Sequence, residues 1–512
     1  MADTSRALLS LASWRGKAMV RARFQGAADI EDEAFKRAFV EDRLVIDCVE
    51  IRLVQNGTST PIEYMSAGSI EAGANKGVVV RLVCPRSAAD SHDPLKFLMS
   101  LNGPDAGVIL PDEHYYRLEA KDVAGDTWVC EAGELDRSDR EDTVVLSFTS
   151  GRIRCSAVSE AKKPYAFFVF LDDLDFPKNT VRTTTVEKRG EPWGTRSDWN
   201  LSEGDAGGLH IYFDGIGDRV ERRYSELVAR GDEGASMPAG FEDRVLEAIR
   251  FCTASMATPV MSQVGCDGKK VLELTRSRAL NKGLVEPPVS HRSHGEHFYR
   301  LFGCFYQYAC KHAAGKDYSP LSAKVGGLFA LKGVWVETVV LLLSVAIERM
   351  LNEDDFARLG KPAAEVRAEV DQILAAAAEL ELSESMRNRV QGALNGFKTN
   401  TPADRMNALI DAGVLVDEDR KTWKKSRNAS THGSFEIEPE EFQKVIDDAF
   451  RLLTMIYKMA FFCVGYSGPY TNFSIRSWPT YVFDLAAYRT ALYSKHRDTG
   501  AAQPTASGPE PR

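Results

Sequence analysis

The chain reads as an α+β protein of several domains, with a β-rich N-terminal half, sandwich- or barrel-like, and a C-terminal all-α helical bundle. Three observations predict this. Short β-branched and aromatic runs, broken by Gly, Asp and Asn clusters, fill the first half. From His294 onward the apolar residues recur at helical spacing. The most hydrophobic stretch, Val334 to Ile347, is too short to span a bilayer and contains Glu337, so it reads as a buried core helix. At 512 residues the chain has room for about two to four domains, each with its own core.

The elements follow in order. Ala7 to Trp14 is apolar, but Arg15 and Lys17 stand where a signal-peptide cleavage site would be needed. Leu44 to Val54 is a strand, and Asn56-Gly57 offers a tight hairpin turn before Pro61 to Tyr64. Further strands are expected at Val78 to Val83, Leu95 to Leu101, Thr127 to Cys130, Val144 to Thr149, Ala166 to Leu171 and Leu209 to Phe213. Residues 1–235 form this β-rich region and 236–290 an α/β joining segment, with a helix from Phe241 to Ala257 and a strand near Lys269 to Leu274. The bundle takes 291–497, and 498–512 is a Gly/Ala/Pro/Ser-rich tail expected to be disordered. Within the bundle, helices are expected over Phe298 to Ala313, Val325 to Leu351, Ala363 to Leu380, Glu384 to Leu394, Pro402 to Ala412, Asp417 to Thr431 and Pro439 to Cys463. The last begins with acidic residues and should bury Phe442, Val445, Ile446, Phe450, Leu453, Ile456 and Tyr457.

Charge narrows the function. A net charge of −9 excludes a chain coated in positive charge for nucleic acid, so any RNA contact must be local. Nine cysteines without a C-x-x-C pair suit reduced thiols in a soluble cytoplasmic protein.

The informative run is Arg427-Asn428-Ala429-Ser430-Thr431-His432-Gly433. A guanidinium grips phosphate in a bidentate fork, and an imidazole five positions on moves protons near neutral pH. On an ideal helix five residues turn through roughly 500°, which leaves the two positions about 140° apart. They meet over one phosphate only if the helix ends between them or two chains share the site. Bare Arg-x4-His spacing arises by chance: Arg292 to His297 also has it. That second match lacks the Asn and opens the bundle instead of preceding its last long helix. Ahead of the motif, Arg420, Lys421, Lys424, Lys425 and Arg427 put five cations in eight residues around Trp423, a composition suited to single-stranded RNA.

The bundle, the Arg-Asn-x-x-x-His run and the long helix after it together resemble the HEPN superfamily of ribonucleases. The stretch Thr422 to Ile437 is most similar to the ApeA-like HEPN proteins of bacterial anti-phage defence. The resemblance covers residues 292 to 465 and is strongest from Arg405 to Phe461. It implies a metal-independent endoribonuclease, active as a homodimer whose two motifs meet in one composite site. Arg427 would bind the scissile phosphate, Asn428 would shape the site, and His432 would carry the proton. RNA, tRNA among the candidates, would be left with 2′,3′-cyclic phosphate ends, and no cofactor or metal is implied. By the resemblance, Glu337 would correspond to the acid that HEPN bundles carry on an early long helix and would orient Arg427. Glu348 reads as a structural or solvated charge. The N-terminal half would restrain the nuclease until a trigger, such as a phage protein, releases it in abortive infection. The competing reading is a non-catalytic, dimerising RNA- or nucleotide-binding module with a protein- or ligand-sensing β domain.

His291, His294 and His297 with Glu296 stand at ligand-like spacing without a matching acidic set. Asp172, Asp173 and Asp175 follow a strand but lack the acid-x-Lys of metal nucleases. Gly315-Lys316 lacks the glycine spacing of a phosphate loop, which argues against an ATPase or GTPase.

Overall fold

The computed structural model describes residues 9–10, 21–24, 29–85, 111–139, 142–159, 161–171, 174–188, 191–216, 224–277, 285–290, 294–313, 315–331, 334–352, 356, 359, 364–398, 401–432 and 441–497. The expected strand Leu95 to Leu101 and the 498–512 tail lie outside them. The chain divides into two compact units, residues 1–242 with 257–280, and 243–256 with 281–512. The stretch 236–290 is shared between the two. Its helix, α2 (Phe241–Thr253), falls almost wholly in the second unit, whereas its two strands extend the sheet of the first.

The first unit is built on a closed six-stranded barrel. Two short strands, β1 (Leu9–Ser10) and β2 (Arg21–Phe24), and helix α1 (Glu33–Val40) precede it. The barrel strands are β3 (Leu44–Gln55), β4 (Glu63–Gly73), β5 (Gly77–Pro85), β6 (Tyr116–Asp122), β7 (Thr127–Asp139) and β8 (Thr143–Ser150). Antiparallel pairs run β3–β4–β5–β8–β7–β6 and return to β3, so no edge remains. Alternation decides what fills it: Val144, Leu146 and Phe148 on β8 are buried while their neighbours are not. Gly133 on β7 makes room for the Phe148 ring, since a Cβ there would lie 2.2 Å from its Cζ. Trp128 is fully buried, and its indole N–H donates to the buried Asp122 carboxylate at 2.9 Å. The turn at Asn56-Gly57 is longer than the tight hairpin expected, because β3 ends at Gln55 and β4 starts only at Glu63.

β7 also pairs with β9 (Arg152–Val158), which leads into a second, open run of strands. These are β10 (Tyr165–Phe170), β11 (Thr180–Lys188), β12 (Glu191–Ala206), β13 (Leu209–Ile216), β14 (Tyr224–Arg230), β15 (Met261–Cys266) and β16 (Lys269–Thr275). Their order is β9-β16-β15-β10-β14-β13-β12-β11. Residues 261–275 return to this sheet because β15 bonds β10 while β16 bonds β9.

The second unit holds α2, α3 (Gly295–His312), α4 (Pro320–Val325), α5 (Val336–Leu351), α6 (Ala364–Ala378), α7 (Glu384–Gly396), α8 (Pro402–Asp411), α9 (Asp417–His432), α10 (Phe442–Val464) and α11 (Leu485–Arg497). It is not all-α as expected: β17 (Gly468–Thr471) and β18 (Thr480–Phe483) form an antiparallel hairpin. Nor is there one helix from Val325 to Leu351. Residues Gly326–Ala330 form a 3₁₀ turn and α5 starts at Val336, since Gly326-Gly327 is poor helix material. α5 and α10 pack along each other, and Phe251 of α2 stacks on Phe305 of α3 at 4.6 Å. The N-terminal half of α10 is shallower than its pattern implies, with Phe442 46% exposed while Leu453, Ile456 and Tyr457 are buried.

Lys458 of α10 is mostly buried and makes no ion pair among the described residues. Burial holds its ammonium below the ordinary 10.5, with Asp419 opposing and Arg451 adding to the shift. Between that depressed value and 10.5 the unfolded chain binds more protons, so stability rises with pH across this window. Lys458→Met is therefore expected to stabilise the helical unit by about 0.5–1 kcal/mol at pH 7. The gain should shrink as pH climbs towards 10.5, which urea unfolding at a series of pH values would check.

Candidate functional site

α9 starts with Asp417, Glu418 and Asp419, acids that suit the positive end of a helix dipole. Its buried face is Asp419, Thr422, Trp423 and Ser426, a three-and-four spacing that packs against α5 and α10. Asp419 anchors the start, accepting from the Val416 N–H at 3.0 Å and the Arg451 guanidinium of α10 at 3.2 Å.

Trp423 is 1% exposed, and its indole N–H donates to the Ser344 carbonyl of α5 at 3.2 Å. The sequence placed it among RNA-binding residues, and the structure corrects this. A ring with no free face cannot stack on a base. Its spacing of four from Arg427 gives it a different task, because the Arg427 guanidinium carbon lies 5.6 Å from the ring centroid.

The acid on Arg427 is not Glu337, as the resemblance implied. The carboxylate on Arg427 is that of Glu348, whose Oε1 accepts from the guanidinium at 2.9 Å, with the two side chains 50% and 30% exposed. Glu337 lies in the first turn of α5, where an acid suits the helix dipole, and not mid-helix as expected. Eleven residues make about three turns, so Glu337 shares a face with Glu348 but stands about 16 Å away along the axis. Glu337 Oε2 is buried without a hydrogen bond among the described residues. Arg427 is thus held from below by an indole and at its tip by a carboxylate, and it remains half open to solvent. The four-residue step from Trp423 is a sequence signal for the first contact. Nothing local pointed to the second.

α9 runs unbroken through both motif positions, ending at His432. Positions 427 and 432 therefore keep the roughly 140° separation of a continuous helix. Asn428 is exposed next to Arg427; the His432 side chain and Gly433 lie outside the described residues.

The basic run is mostly neutralised at home. Arg420 donates to Asp417 at 2.5 Å and to the Asn407 side chain at 3.0 Å. Lys421 pairs with Asp417 at 3.3 Å and Glu418 at 3.5 Å, and its hydrogen bond holds the Asp417 carboxyl below the usual carboxylate range. Lys425 pairs with Asp448 of α10 at 3.0 Å. Lys424 is exposed with no acidic partner among the described residues.

Of the other clusters, Asp172, Asp173, His291 and Arg292 lie outside the described residues. His297 Nε2 lies 3.3 Å from the exposed Glu296. Among the described residues no three His, Cys, Asp or Glu side chains are grouped to hold a metal ion, and no helix is long and apolar enough to cross a membrane. No family model, no curated protein and no solved structure matches the chain.

Proposed function

We propose that this protein is a metal-independent endoribonuclease of the HEPN type, acting as a homodimer in the cytoplasm in bacterial anti-phage defence. The observation that carries the reading is the poise of Arg427, half exposed, braced by Trp423 and Glu348, one and a half turns before His432 on an unbroken helix. An exposed ion pair is worth at most about 1 kcal/mol, so a phosphate can displace Glu348 from the guanidinium. The ribose 2′-oxygen attacks phosphorus, the bond to the 5′-oxygen breaks, and His432 manages the proton that passes from the 2′-hydroxyl to the leaving oxygen. The products are a 2′,3′-cyclic phosphate and a 5′-hydroxyl. Asn428 and Lys424 are exposed polar groups close in sequence to Arg427 that the flanking RNA can meet. Arg420, Lys421 and Lys425 can also meet RNA, once phosphate displaces the acidic partner that each now holds.

A second chain answers the angular separation. Because α9 does not end between the motif positions, one phosphate draws Arg427 and His432 from different copies. α5 supplies a face for this: Leu341, Leu342 and Val345 are 37%, 37% and 42% exposed and lie one to two turns before Glu348. The N-terminal unit would restrain the nuclease until a trigger such as a phage protein arrives.

The test is cleavage of a labelled cellular RNA pool in excess EDTA, with analysis of the ends. Cyclic phosphate ends that persist in EDTA support the reading, and cleavage that EDTA abolishes would sink it. Leu341→Glu with Val345→Glu is expected to yield monomers by sedimentation and to lose cleavage together. RNA binding without cleavage would favour the non-catalytic module.

A further inference from the structure

We infer that the N-terminal unit carries a binding site for a small zwitterion, a free amino acid or short peptide, in the cleft between α1 and the β10–β14–β13–β12 sheet. It has no part in the reading of Arg427 and stands independently of it.

The cleft follows from strand register. Glu203 on β12 lies opposite Tyr212 on β13, Tyr212 opposite Val228 on β14, and Val228 opposite Phe167 on β10. Two residues along β14 in either direction, on the same face, come Glu226 and Arg230, and Arg230 lies opposite His210. α1 covers one end of this face, and a cavity of about 510 Å³ remains. That is the size of a small-molecule site.

Its floor is charged. Lys36 of α1, a helix otherwise packed through Phe35 and Phe39, turns inward, with its side chain 6% exposed. It pairs with Glu226, 10% exposed, and its ammonium lies 5.4 Å from the Phe167 ring centroid. Burying such a pair is costly, and apolar residues of similar volume often replace one without loss of stability. What the pair supplies is a donor and an acceptor beneath two aromatic walls, Phe167 and Tyr212.

The rim also carries both signs. Arg230 and Glu31 face each other at 3.7 Å, each more than half exposed, and are free to turn towards a ligand. Glu203 meets His210 at 3.0 Å. The carboxylates of Glu31, Glu203 and Glu226 stand against Lys36 and Arg230, so the lining is not net positive whether or not His210 holds a proton. That disfavours phosphorylated ligands such as nucleotides. A zwitterion satisfies both signs, with its carboxylate on the Arg230 fork and its ammonium on Glu31 and Glu203. The Glu31–Arg230 pair is shared with a neighbouring cleft of about 610 Å³, where Lys162 and Lys163 have no acidic partner among the described residues. A peptide longer than one residue would lay its carboxylate end there.

Titration calorimetry on the full chain tests this, with L-glutamate, L-lysine, L-phenylalanine and trialanine as probes and ATP and glucose as contrasting classes. At least one zwitterion is expected to bind, and Arg230→Gln and Glu203→Gln should each weaken it by about tenfold. Both positions are on the exposed rim, and unchanged thermal unfolding would show that the fold is intact. Three outcomes overturn the proposal: no heat from any zwitterion at about 10 mM, binding that both rim variants leave unchanged, or binding of ATP or glucose in place of the zwitterions.

Discussion

His432→Ala is expected to lower RNA cleavage by about 10²–10⁴-fold, the range a positioned proton carrier contributes, while RNA affinity stays near wild type. The two residues divide the labour. Arg427 meets charge already present on the phosphate, whereas the imidazole acts only as the 2′-oxygen attacks and the 5′-oxygen leaves. Arg427→Ala should therefore weaken binding as well as cleavage. Arg427→Lys should recover part of the affinity but little of the rate, because an ammonium has no fork to hold two phosphate oxygens. Glu348→Gln should alter stability by no more than about 1 kcal/mol, since the pair is partly exposed. Single-turnover cleavage and filter binding on the same variants separate these effects. An unchanged rate in His432→Ala would end the ribonuclease assignment.

Trp423→Ala should destabilise the helical unit by about 3–5 kcal/mol, the cost of emptying a buried aromatic site. The indole is 1% exposed, sits between α9 and α5, and donates to the Ser344 carbonyl. Trp423→Phe keeps most of the packing and gives up that hydrogen bond, so its cost should fall to about 1–2 kcal/mol. Urea unfolding followed by circular dichroism reads both. The alternative makes an opposite forecast. An RNA-stacking Trp423 would lose about 1–3 kcal/mol of RNA affinity as alanine and leave unfolding unchanged. Full stability in Trp423→Ala would therefore refute its place in the core.

Much of the helical half was legible because its signals are local. α4 was not among the expected helices, although Ser319-Pro320 starts it with a local signal, the Ser319 side chain accepting from the Ser322 N–H. Thr401-Pro402 with Asp404 starts α8 as a capping box. The acidic opening of α9 marks its start, and the expected bounds, Asp417 to Thr431, fall within a residue of those found. Where glycines interrupt an apolar run, as at Gly326-Gly327, hydrophobicity alone merged two elements that the backbone keeps apart.

By itself, then, the sequence determined the kind of each half, the limits of most helices, and the presence of Arg427, Asn428 and His432 at the end of one helix. Those follow from period, caps and spacing, which act within a few residues. Tertiary structure alone decided that six strands close into a barrel, because pairs such as β3 with β6 and β5 with β8 join residues 58 to 74 positions apart. It alone put Trp423 inside and Glu348, not Glu337, on Arg427. A periodic pattern says which face of a helix is buried, but only the packed neighbour says how far along that face a partner lies. Three turns separate the two glutamates, and a guanidinium can reach only one of them.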